Sequence, residues 1–155
     1  MMHHLKYKWV TKSFESLTPA ELYEILRLRS EVFVVEQNCV FLDMDNKDQF
    51  SLHLMGYDAA KLVASARLIA PGKVYSEMSI GRVVSSPADR KKGAGRELMQ
   101  VAIKECYQHF GEYPIKIGAQ LYLKKFYESL GFVQSSAVYD EDGIDHIEMI
   151  RSIPS

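Results

Sequence analysis

The densest concentration of chemically useful side chains in this sequence is the run Pro87-Ala88-Asp89-Arg90-Lys91-Lys92-Gly93-Ala94-Gly95-Arg96. Glycines at 93 and 95 let the backbone approach a ligand and turn its N–H groups toward it. A helix opening at Ala94 adds the partial positive charge of its N-terminus. Arg90, Lys91, Lys92 and Arg96 bring four full charges to the same place. A pyrophosphate is the natural occupant of such a loop. Two common pyrophosphate loops are excluded. A P-loop requires Gly-Lys-Ser/Thr, and here Gly95 is followed by Arg96-Glu97; a dinucleotide fingerprint requires a small residue where Leu98 stands.

Other reactive groups are scattered. Asp43, Asp45 and Asp48 mark an acidic stretch from Glu36 to Asp48, which can steer a cationic amine or be no more than a solvated loop. Its spacing lacks the glycine and distal glutamate of a calcium loop. Cys39 and Cys106 lie far apart without metal-ligand spacing and read as reduced thiols. The adjacent His3 and His4 read as incidental, so no metal is called for. Net charge is −1 over 155 residues, with 47% hydrophobic and 25% charged residues. That describes one domain with one core and no overall field to draw it onto nucleic acid or a membrane. No apolar run has the length of a signal peptide or a membrane span, so the expected location is the cytoplasm.

These groups need elements to position them. Residues 7–14 alternate loosely and predict a first strand. Thr18-Pro19-Ala20-Glu21 is a helix start, with Thr18 as cap, Pro19 at the first helical position and Glu21 closing a capping box. Leu22, Ile25, Leu26 and Phe33 recur at helical spacing and predict a helix over 19–34. Strands are expected over 50–57 and 61–69, joined at Asp58-Ala59-Ala60, and over 77–85, ended by Pro87. Leu98, Met99, Ala102, Ile103 and Cys106 share one face of a helix over 94–110. A short strand at 115–119, a helix over 121–130 capped by Gly131, and strands over 132–139 and 144–151 around Asp142-Gly143 complete the order. The class is α/β or α+β: a mixed sheet with helices on both faces.

A second motif follows the loop. Leu123-Lys124-Lys125-Phe126-Tyr127-Glu128-Ser129-Leu130-Gly131-Phe132 resembles the late motif of the GNAT N-acetyltransferase superfamily, and Arg90, Gly93 and Gly95 resemble that superfamily's acetyl-CoA loop. Phe33-Val34-Val35-Glu36-Gln37, the pair Asp43 and Asp45, Ile80-Gly81-Arg82-Val83-Val84, Ala119-Gln120-Leu121-Tyr122-Leu123, and Tyr139-x-Glu141-Asp142-Gly143-Ile144-x-His146 are similar to its ElaA-like branch. The match spans Trp9 to Met149, departing mildly at Lys91, where glycine is common.

The resemblance implies one domain over 1–155, with a mostly antiparallel sheet splayed open between the strands of Val83-Val84 and Ile117. The pantetheine arm of acetyl-CoA then lies in the cleft against the backbone of Val83, Val84 and Ser85. Its pyrophosphate lies on Arg90, Lys91, Lys92, Gly93, Ala94, Gly95 and Arg96. Direct transfer to a primary amine of a small molecule or peptide needs a polarised thioester carbonyl, served by an N–H near Val83, and a proton for the leaving thiolate, served by Tyr127. Deprotonating the ammonium needs a carboxylate, a histidine or a water chain. Glu36, Glu77, His53 and His146 are the candidates, with Glu36 ranked first; Glu36, Gln37 and His53 are the expected acceptor-pocket residues. The superfamily also implies a homodimer. The competing reading is an acyl-CoA sensor that binds without turnover.

Overall fold

The computed structural model describes residues 4–153, so His3 of the adjacent histidine pair lies outside them. In chain order the elements are β1 (Lys8–Ser13), α1 (Pro19–Arg29), β2 (Leu52–Asp58), β3 (Lys61–Ile69), β4 (Met78–Ser85), α2 (Pro87–Arg90), α3 (Ala94–Phe110), β5 (Ile115–Gln120), α4 (Lys124–Glu128), β6 (Phe132–Gln134), β7 (Tyr139–Glu141) and β8 (Ile144–Arg151). The strands form one sheet in the order β1-β2-β3-β4-β5-β8-β6, with β7 also on β8. Every pairing is antiparallel except β4 with β5. No helix among the described residues is long and apolar enough to cross a membrane.

Local chemistry explains most boundaries. The capping box at α1 is complete: Glu21 N donates to Thr18 Oγ1 at 3.1 Å, and Thr18 N donates to Glu21 Oε1 at 2.8 Å. The helix expected to run to Val34 stops at Arg29 and continues as a wider π-helical turn, Ser30–Glu36. Val32, Val34 and Val35 are β-branched and crowd the preceding turn, which weakens the regular repeat. Gln37 N bonds Val32 O and Cys39 N bonds Val34 O, both five residues back. The strand expected over 132–139 is broken at its middle. There the Ser136 hydroxyl replaces a backbone partner, accepting from Glu148 N at 2.8 Å. At the β7–β8 hairpin, Asp142 and Gly143 both have positive φ, 54° and 81°, as a two-residue primed turn demands.

Helices cover both faces. On β2, Leu54 packs with α3 residues Leu98, Met99 and Ala102, whereas the next residue, Met55, packs with Ile25 and Leu28 of α1. That alternation is the two-residue period of a strand buried on both sides.

The acidic stretch is neither a steering field nor a solvated loop. Arg29 Nε donates to Asp43 Oδ2 and Arg29 Nη1 to Asp48 Oδ1, both at 2.8 Å. Arg67 forks onto Asp45 at 2.8 and 2.6 Å, and Arg82 Nε reaches Asp43 Oδ1 at 2.8 Å. Three guanidinium groups neutralise three carboxylates, and Arg29 is only 1% exposed. The stretch is therefore clamped to the sheet, because a carboxylate this deep persists only when paired and hydrogen-bonded.

Candidate active site

β4 and β5 pair only at their beginnings, Met78 with Ile115 and Ser79 with Lys116. Beyond Ser79 they part, while β5 stays paired with β8 from Ile115 to Gln120. The later half of β4 thus has one open edge. The opening is the mouth of a cleft of about 780 Å³, walled by Val83, Val84 and Ser85 on one side and by Gly118 and Gln120 on the other. Open strand edges inside a fold are costly unless something pairs with them.

The open edge carries a bulge. Ser65 faces Val84 and Arg67 faces Gly81, so Arg82 and Val83 together oppose the single residue Ala66. Arg82 has φ 47°, in the left-handed region. A bulge leaves a residue outside the ladder, which frees main-chain groups of Arg82 and Val83 for a ligand.

At the end of β4 the chain makes the short helix α2 and then turns into α3. Gly93 sits at φ 85° as the residue that caps α3. Arg90, Gly93, Gly95 and Arg96 line the cleft. A methyl on Gly95 would find only Ser85 Oγ, at 3.8 Å, so the protein itself leaves room there. That combination, with the bare helix N-terminus of α3, fits a pyrophosphate. A model of the acetyltransferase (GNAT) domain matches residues 29–153.

The chain belongs to the GNAT acetyltransferase family. The Escherichia coli protein ElaA is 38% identical over 148 residues, covering 94% of this chain and 97% of that one. A Synechocystis protein of the UPF0039 group is 40% identical over 151 residues, covering 97% and 98%. Among solved structures, a Pseudomonas aeruginosa acyl-CoA N-acyltransferase superimposes with a TM-score of 0.90 at 40% identity, covering 95% of this chain and all of that one. The crystal structure of Escherichia coli ElaA gives 0.87 at 38% identity, covering 94% and 99%. The splayed sheet is thus the GNAT fold, and the family's general chemistry is acyl transfer from acyl-CoA to an amine.

Within this GNAT cleft the expected residues divide. Tyr127 lines it from α4, its ring edge-on to Phe126 and Phe132 at 5.1 and 6.0 Å. Among the described residues its hydroxyl has no side-chain hydrogen-bond partner, and burial pushes its pKa well above that of an ordinary tyrosine. It therefore carries its proton at neutral pH. Glu36 and Gln37 line the cleft from the π-helical turn. Gln37 Oε1 accepts from Gln120 Nε2 at 3.4 Å, joining that turn to β5.

Four expectations need correction. Glu36 is not a free carboxylate: Arg90 forks onto it at 2.8 and 3.0 Å, and these hydrogen bonds hold its carboxyl below the usual range. A carboxylate so engaged is a weakened base. Lys91 and Lys92 have exposed side chains that do not line the cleft, Lys92 Nζ lying 3.9 Å from Asp89, and the Ala94 side chain is buried in the core, so only its main chain is left to face a ligand of the loop. His53, 1% exposed on β2, lies two strands from the cleft edge; Asp48 O accepts from its Nε2 at 2.8 Å, and burial lowers its pKa. Glu77 stands just before the closed end of β4, where Met78 and Ile115 are still paired. Of the four candidate bases, Glu36 and His146 reach the cleft.

Gly118 and Arg82 are site residues to which the sequence pattern assigns no role. A methyl at Gly118 would meet the Tyr139 hydroxyl at 3.1 Å and the Tyr75 hydroxyl at 3.3 Å. An isolated glycine inside a strand is a signal of such close approach. Nothing local marks Arg82, whose backbone is set by the bulge.

Proposed function

We propose that the chain transfers an acetyl group from acetyl-CoA to a primary amine by direct attack within a ternary complex. The observation that carries this reading is the open edge of β4, running from a bulge beside Tyr127's cleft to a glycine-rich helix start. The main-chain groups of Val83, Val84 and Ser85 pair with the amides of the pantetheine arm. Arg90, Arg96 and the Gly93–Gly95 backbone hold the pyrophosphate. Arg90 is then shared between phosphate and Glu36, and Glu36 acts as the residue that pre-positions Arg90.

Val83 N–H polarises the thioester carbonyl, a donor fixed before charge develops on oxygen. Tyr127 supplies a proton as charge builds on sulfur, so its contribution falls on the transition state rather than on binding. The unpaired Cys39 and Cys106 are compatible with the reducing cytoplasm expected for this chain. The test is release of free thiol from acetyl-CoA across a panel of small-molecule and peptide amines. Amine-dependent release supports acetyl transfer. Binding of acetyl-CoA with no release for any amine would make the chain a sensor on the same fold.

A further inference from the structure

His146 lies on β8, opposite Gln120 of β5, and is 7% exposed. Its Nδ1 is 2.8 Å from the carbonyl oxygen of Ile144. A carbonyl oxygen can only accept, so Nδ1 carries the proton and Nε2 of the neutral ring keeps its lone pair. Glu141 Oε2, from β7, lies 3.5 Å from that Nε2. The Tyr139 ring, also from β7, lies over the imidazole at a centroid distance of 5.9 Å. The titratable neighbours facing the ring are therefore Glu141 and Tyr139, while β5 contributes the uncharged Gln120. The Glu36–Arg90 pair lines the same cleft and is already closed on itself.

Resting on the acetyltransferase reading above, we infer that His146 Nε2 is the group that takes the proton from the acceptor ammonium, with Ile144 O holding the ring through Nδ1–H and Glu141 placed to pair with the imidazolium once it forms. Nε2 is the unsatisfied base of the cleft, whereas Glu36 is spent on Arg90. The step balances as follows. Nε2 removes one proton from the ammonium and later passes it to solvent. The neutral nitrogen attacks the thioester carbonyl carbon; the C–N bond forms and the C–S bond breaks. Tyr127 gives its proton to the departing sulfur and regains one from the attacking nitrogen. The products are the amide, the free thiol and one proton in solution. Imidazolium formed at Nε2 finds Glu141 within ion-pair reach, while the Nδ1–H bond to Ile144 O fixes the tautomer and orientation of the ring.

The experiment is a pH–rate profile of kcat/KM with the best amine of the panel, for the parent, His146→Asn, His146→Gln and Glu141→Gln. Asparagine can retain the donor to Ile144 O, and glutamine fills the volume toward Nε2. The expected loss is roughly 10²–10³ in kcat/KM at neutral pH for both His146 variants, within the range for a general base. Their residual rate should climb with pH toward the amine's own deprotonation. Acetyl-CoA affinity by calorimetry should stay within about threefold of the parent, a difference under 1 kcal/mol. Glu141→Gln should lower kcat/KM by about fivefold or less, a small loss because the Glu141 side chain is 55% exposed. A parent that releases no thiol with any amine defeats the acetyltransferase reading itself. A parent that turns over, beside folded His146 variants with its rate and its acid limb, overturns only the assignment of His146. If one His146 variant fails to fold, the other carries the test.

Discussion

Gly95 separates the cost of a side chain to the protein from its cost to the ligand. It is the second residue of α3, its φ is not left-handed, and an added Cβ would meet only Ser85 Oγ at an ordinary 3.8 Å. Gly95→Ala should therefore not harm the fold. Replacing glycine by alanine in a helix is favourable by about 0.5–1 kcal/mol. For a chain of this size that is about 1–4 °C in Tm. The pyrophosphate would lose the close approach to the α3 N-terminus. One or two charge-assisted hydrogen bonds at about 1.5–3 kcal/mol each are at stake, and imperfect loss gives about 2–5 kcal/mol. That corresponds to CoA binding roughly 30- to 3,000-fold weaker. Gly95→Val, with more bulk, should fall at the weak end. Gly93→Ala is the contrasting case. Nothing lies within 4 Å of its Cβ, but φ is +85°. It should cost about 1–2 kcal/mol of stability through backbone strain. Calorimetric titration with CoA and scanning calorimetry on the same preparations read both quantities. If Gly95→Val binds CoA as the parent does, the pyrophosphate is not on this loop and the assignment falls.

Tyr127→Phe should keep CoA affinity and Tm, because the hydroxyl holds no structural side-chain hydrogen bond, while turnover drops roughly 10²–10⁴. A phenylalanine variant with full kcat in the thiol-release assay would end the general-acid assignment. Arg29→Met leaves Asp43 and Asp48 buried without a partner they share and should cost about 3–5 kcal/mol. Scanning calorimetry should show Tm at least about 6 °C lower, and an unchanged Tm would mean that the clamp adds nothing to stability. Burial alone would raise the carboxyl pKa of Asp45 and Asp48, but hydrogen bonds from Arg67 and Arg29 outweigh it and leave both depressed. The folded values lie below the unfolded one of about 3.9, so this stabilisation is full above about pH 5 and drains away as pH falls through the folded values. Denaturant midpoints should be flat in this respect from pH 7 to 5 and drop below pH 4; a midpoint insensitive to acid would contradict the pairing.

The parts of the fold that announced themselves were those governed by local rules. Thr18 and Glu21 are three apart and can only close a box, Asp142-Gly143 needs two positive φ angles, and Leu98 to Cys106 follow one helical face. The position of Tyr127 in the cleft wall was legible for the same reason, as part of a compact motif. What depended on partners distant in sequence was not. Three aspartates in a row of polar residues look solvated until Arg29, Arg67 and Arg82, from three separate elements, are brought onto them. Glu36 looks like a free base until Arg90, 54 residues away, forks onto it. Lys91 and Lys92 count as charges in the loop, yet the turn after α2 aims them outward, and only the three-dimensional course of that turn decides it.

The buried ion cluster gives the acidic stretch a function that its sequence conceals. Arg82 holds φ 47° in the bulge of β4, a conformation that costs a non-glycine residue about 1–2 kcal/mol. Such strain persists only where surrounding contacts over-determine it. Here the guanidinium is fixed at three points: Asp43 Oδ1 at 2.8 Å, Asp43 O at 2.9 Å and Asp45 Oδ2 at 3.3 Å. Asp43 is itself pinned by Arg29 of α1, and Asp45 by Arg67 of β3. The stretch between the π-helical turn and β2 is thus a brace for the bulge, and the bulge is what turns the main chain of Val83 toward the cleft. A neutral cluster of three pairs suits that task better than apolar packing, because its hydrogen bonds fix direction as well as distance. On the proposed reading the carboxylates serve the chemistry without meeting the acceptor: they hold in place the strand edge against which the thioester would lie.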